Sequence, residues 1–85
     1  MEKDNSRMVG EKWFVFVGSD ASNATQLADP LNYELDGDGS MPGECQSNSL
    51  PYRCEIKITP QVISGVERPD FSQQVIGETK KLNVN

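Results

Sequence analysis

Three sets of residues in this chain have types and spacings that could do chemistry: a pair of cysteines, a short run of aspartates, and two side chains flanking a proline. Cys45 and Cys54 are the only thiols. A disulfide between them would close Gln46 to Arg53 into a small ring, an arrangement that requires an oxidising compartment. In the chain-entropy account such a ring contributes roughly 2.5 to 3 kcal/mol, a large share of the stability of a small domain. Asp36-Gly37-Asp38-Gly39-Ser40 alternates oxygen ligands on a glycine-flexed loop and suggests a calcium site built from Asp36, Asp38 and Ser40. The register is poor, because Met41 stands where glycine is needed and Ser47 where a bidentate glutamate is needed, and Asp-Gly pairs are strong turn formers. A turn is the preferred expectation. Within the ring, Leu50 precedes Pro51 and Arg53 follows it, as in the preorganised loops by which small disulfide-rich inhibitors occupy proteases. Leu50 and Arg53 are the contact residues that reading names.

The residue types that are absent exclude more than those present suggest. There is no histidine, so a Ser/His/Asp triad, a Cys/His pair and histidine-containing zinc sites are impossible within one chain. Two cysteines cannot complete a four-thiolate site. The thirteen acids are scattered through polar segments, and no pattern around them marks a buried general acid. The expectation is a non-enzyme without a cofactor. A net charge of −5, with no basic cluster longer than Lys80-Lys81, argues against nucleic acid and against a polybasic membrane anchor. The longest apolar run, Trp13 to Val17, is five residues, far too short to cross a bilayer.

Short strands must position these groups. Arg53 to Thr59 alternates, with Cys54, Ile56 and Ile58 expected on the buried face and Arg53, Glu55 and Lys57 on the other. Lys12 to Gly18 is the densest aromatic and β-branched run and is expected to be the central or most buried strand. Trp13, Val15 and Val17 fall on one of its faces and Phe14 and Phe16 on the other, so both need cover. Core is the preferred fate of Phe14 and Phe16. If the chain has a binding surface for a protein partner, this second aromatic face is the expected place.

The remaining segments are simpler. Ser22 or Asn23 can cap one helical turn through Leu27, stopped by Asp29-Pro30. Asn23-Ala24-Thr25 fits the glycan acceptor pattern, which is too common by chance to carry weight alone. Leu31 to Leu35 reads as a strand, joined to the Tyr52 to Thr59 strand by a stapled hairpin connection. After Pro60, Gln61 to Val66 reads as an edge strand with Gly65 at its end or in a bulge, and Glu67 to Asp70 as a turn. Beyond it, a short helix over Phe71 to Ile76 and a strand around Gln74 to Ile76 are equally supported.

The order Lys12-Trp13-Phe14-Val15-Phe16-Val17-Gly18, then Asp29-Pro30-Leu31-Asn32-Tyr33-Glu34-Leu35, then Pro42, Cys45 and Cys54-Glu55-Ile56-Lys57, resembles small uncharacterised exported proteins of Bacteroidota. The resemblance spans residues 12 to 59. It implies export and a disulfide, the latter in agreement with the spacing argument, and carries no activity and no functional residue. Met1 to Met8 are polar with no apolar stretch behind them, so a leader is not expected within the numbered residues. The protein then either stays in the cytoplasm or works outside it after losing its leader.

The expectation is thus a mostly β fold, a small single-disulfide antiparallel sheet of three to five short strands with room for one short C-terminal helix. Residues 12–82 form one domain after a flexible lead-in over 1–11 and before a frayed tail at 83–85. The expected role is a non-enzymatic binding or structural component outside the cytoplasm with a protein partner, an accessory subunit of a larger envelope assembly being one form of it, and a protease inhibitor or calcium-binding module the alternative.

Overall fold

A computed structural model describes residues 10–43, 45 and 50–84. Most of the expected lead-in and part of the Cys45 to Cys54 ring lie outside the described residues. The elements are β1 (Lys12–Phe16), a single helical turn α1 (Ala24–Leu27), a 3-10 turn (Pro30–Asn32), and strands β2 (Tyr33–Leu35), β3 (Tyr52–Ile58), β4 (Pro60–Ile63), β5 (Val66–Pro69) and β6 (Gly77–Lys81). All pairings are antiparallel: four strands in the order β2-β1-β3-β6, and a separate β4-β5 hairpin. The small, mostly β, single-disulfide antiparallel fold is therefore as expected, with six strands among the described residues where three to five were expected.

Alternation explains the core. Phe14 stands opposite Leu35 on one side and Ile56 on the other, and Phe16 opposite Tyr33, so the apolar positions of three strands line one face. Phe14, Phe16, Tyr33, Ile56 and Ile58 are buried there with Ala21, and Leu27, Leu35, Tyr52, Phe71 and Val75 pack around them. Tyr33 makes edge-to-face contacts with Phe16 and Phe71, each with ring centroids 5.3 Å apart. Its hydroxyl donates to the Leu27 carbonyl at 2.8 Å, which ties α1 to the sheet. Asn23 caps that turn, accepting from the Thr25 and Gln26 amides.

Several expectations are corrected. The second strand begins at Tyr33 rather than Leu31, because Asp29 accepts from the Leu31 amide and winds Pro30–Asn32 into a 3-10 turn that leaves Leu31 exposed. The β2 and β3 strands are not a hairpin: β1 lies between them and pairs with both. Glu67 to Pro69 is strand, not turn. The true turn is Ser64-Gly65, both at positive φ (52° and 79°), the two-residue geometry that suits a twisted hairpin. Pro60 and Pro69 face each other at its open end, where a missing amide donor is tolerated.

The C-terminal segment is neither of the two forms expected. Asp70 accepts from the amide and hydroxyl of Ser72, and this local turn displaces a helix while Phe71 and Val75 dock on the core. The last strand starts only at Gly77. The Val84 carbonyl accepts from the Ala21 amide at 2.7 Å.

Candidate functional site

A bulge in β3 builds the site. Arg53 pairs with Lys80 and Glu55 with Thr79, so Cys54 is an extra residue between consecutive partners on β6. An extra residue reverses the alternation on one side of it. Arg53 therefore turns toward the core side with Ile56, where its Nε donates to Glu78 at 2.7 Å and its Nη1 to the Tyr33 hydroxyl at 3.2 Å. Cys54 and Glu55 instead both line a depression over Val15 on the opposite, outer face. The expectation that Cys54 shares the buried face with Ile56 and Ile58 is corrected accordingly.

The outer face carries the row Glu34, Val15, Glu55 and Thr79 across four strands, and beside it Trp13, Lys57 and Gly77. The segment after β2 folds over these rows. Asp36 donates its amide to the Trp13 carbonyl at 3.1 Å, and the Trp13 amide donates to the Gly39 carbonyl at 2.9 Å. A turn between Asp36 and Gly39, closed by a 2.8 Å bond, sits between these two anchors. Further on, the Gly43 amide donates to Oε2 of Glu55 at 2.7 Å, and the Cys45–Cys54 disulfide joins the segment to β3 with Cα atoms 6.0 Å apart.

Glu55 is the chemically distinctive group. It is 2% exposed, and its Oε1 has no hydrogen-bond partner. Burial pushes its carboxyl up to about 7, and the neighbouring Asp36 carboxyl pushes the same way, while the Gly43 amide opposes both. A β-carbon added to Gly43 would stand 2.7 Å from Oε2 of Glu55 and 2.9 Å from Oδ2 of Asp36. A side chain at this position would have to displace one of the two carboxyls. The Glu55 carboxyl can hold and release a proton near neutral pH.

The residues singled out in the sequence fare differently. Cys45 and Cys54 are joined. Phe14 and Phe16 are 0% and 3% exposed, which removes them as a binding surface and leaves them as core, because α1 and the 71–75 segment cover that face. Arg53 is held inward by Glu78 and Tyr33 rather than presented to a protease, and Leu50 is half-buried; the ring residues 46–49 lie outside the described residues. The calcium set is divided. Asp38 accepts from the amide and hydroxyl of Ser40, at 2.9 and 2.6 Å, while Asp36 turns toward Glu55. Among the described residues no three acidic or cysteine side chains converge on a metal position.

Glu55, Asp36 and Gly43 as a unit were not legible in the sequence. Glu55 reads there like its neighbours Arg53 and Lys57, an outward charge on an alternating strand. Comparison of the chain with protein-family models, curated proteins and solved structures gave no match.

Proposed function

We propose that this chain is a non-enzymatic binding or structural module that works outside the cytoplasm, in the periplasm, at the cell surface or secreted, as an accessory component of a larger protein assembly. The observation that carries the reading is the Cys45–Cys54 disulfide, which fastens the segment covering the outer face and persists only in an oxidising compartment. No helix among the described residues is long and apolar enough to cross a membrane.

The contact surface proposed for a protein partner is the β4-β5 hairpin. Val62 and Val66 are 69% and 46% exposed on it, and a two-stranded ribbon has no second layer with which to bury both faces. The Lys12–Glu67 ion pair, 3.0 Å, fixes the hairpin against β1 so that it is presented in one orientation.

The test is native purification after alkylation of free thiols in intact cells. The reading expects no alkylated cysteine and a retained partner that is lost when Val62 and Val66 are both replaced by Lys. Two alkylated thiols would overturn the location, and a monomer that retains nothing would overturn the binding role.

A further inference from the structure

We propose that the segment from Ser40 to Gly43 is a pH-sensitive clasp on the outer face, closed while the Glu55 carboxyl beside Asp36 keeps its proton and released on the Cys45–Cys54 tether when Glu55 ionises.

The geometry separates what is fixed from what can move. The upstream end is anchored by the two backbone bonds to Trp13, and the downstream end by the disulfide. Between them, among the described residues, the Gly43 amide bond to Glu55 is the hydrogen bond that fastens the segment to the sheet. Among the described residues Ser40 bonds only back to Asp38, and Met41 is 72% exposed, so neither holds the segment down. The clasp thus depends on one acceptor whose carboxyl titrates; the Gly43 bond itself favours the charged form, so release is driven by burial of that charge and by the Asp36 carboxyl beside it.

Ionising Glu55 beside the Asp36 carboxyl creates two costs at once. Both lie within 3 Å of the point where a Gly43 side chain would begin, so like charges are forced together. Glu55 also has a buried oxygen with no partner, and a charged carboxylate tolerates that far less well than a neutral acid. The other charged groups facing Glu55 do not offset this. From β2 comes Glu34, across Val15, a further negative charge; from β3 comes Lys57, two residues along on the same face; β6 presents Thr79 and Gly77, which carry none. Lys12, near Asp38, is held by Glu67. Water reaches the Glu55 carboxylate when Gly43 lifts away, and the tether keeps the released segment in place to close again. Opening uncovers Val15 and the outer row beneath it.

The reading rests on the oxidised staple and on local geometry, not on where the protein works, so its failure and the failure of the export reading are distinguishable. The test is amide hydrogen exchange at Gly43 in the oxidised protein from about pH 5 to about pH 8, corrected for intrinsic base catalysis. The expected result is an added acceleration of at least about tenfold across neutrality at Gly43, while Phe14 and Ile56 amides keep their protection. Glu55→Gln, which keeps an acceptor for Gly43 without a charge, should abolish the step. Asp36→Asn, which leaves Glu55 in place, should shrink the step and move it to lower pH. A flat corrected profile at Gly43 in the parent protein would overturn the proposal, as would an unchanged step in either variant.

Discussion

The Gly43 amide and the Glu55 carboxylate meet at 2.7 Å from positions twelve residues apart, one on a covering segment and the other in the middle of a strand. The contact exists because the β3 bulge places Cys54 and Glu55 on the same side of the sheet, and because a glycine lets the covering backbone come within bonding distance. It joins staple, sheet and titrating group into one local unit.

Filling the space at Gly43 should therefore be costly. Gly43→Ala places a methyl group under 3 Å from both carboxylates and pushes the segment off Glu55. The expected destabilisation is about 1 to 3 kcal/mol. It should appear as a lower urea midpoint with an unchanged m-value.

The stability of the fold should have an unusual pH profile on its upper side. Glu55 is pushed up to about 7 in the folded protein from an ordinary value of 4.5, so the folded state holds a proton that the unfolded chain has lost between those limits. Its contribution is complete below the ordinary value and is lost as pH rises through the folded one. Glu78 works the other way. Burial pushes its carboxyl up, but the Arg53 hydrogen bond and charge, with Lys80 adding, hold it below the ordinary range, so its contribution is lost as pH falls through that lower value. Thermal unfolding across pH should show stability declining from about pH 4.5 to about pH 7 and declining again in strong acid. In Glu55→Gln the upper decline should be lost while the acid limb remains.

Removing the staple should cost less than destroying the fold. Replacing both Cys45 and Cys54 by Ser is expected to cost roughly 2.5 to 3 kcal/mol through the unfolded state. The double variant, followed by near-ultraviolet circular dichroism, should keep its core signal at room temperature, because Phe14, Phe16, Tyr33 and Ile56 lie on the other face of the sheet. Loss of that signal would mean the disulfide holds the core as well as the outer segment.

Arg53 should behave as a structural cation. Its Nε and Nη1 reach Glu78 and the Tyr33 hydroxyl, and the side chains of Arg53 and Glu78 are only 22% and 29% exposed. Arg53→Ala is expected to cost about 1 to 3 kcal/mol. A double-mutant cycle with Glu78→Ala should give a coupling of at least about 0.5 kcal/mol, the level separating an interacting pair from an independent one.

Much of the fold was readable from short-range pattern, and the site was not. The alternation in Lys12 to Phe16 and in Ile56 to Ile58 identified the interior strands and their buried side chains, and Asn23 announced the turn it caps, whereas the turn capped by Asp29 reads as the start of a strand. The bulge at Cys54 left no local trace, since it is defined by which residues of β6 oppose Arg53 and Glu55. That one insertion moved Arg53 inward and Cys54 outward, and it changed the apparent role of both. Similarly, Glu67 to Pro69 reads as a turn because of its charges and proline, and becomes strand because Ser64-Gly65 sets the register of the hairpin. Glu55 hides because a strand glutamate is ordinarily solvated, and only a segment arriving from Asp36 to Cys45 buries it.

The most direct measurement is a carbon-13 carboxyl titration of Glu55 by NMR in the oxidised protein. The account predicts a midpoint at about 7, falling toward the ordinary 4.5 when Asp36 is replaced by Asn and the segment is released by reduction. A midpoint at or below the ordinary glutamate value in the oxidised protein would contradict it.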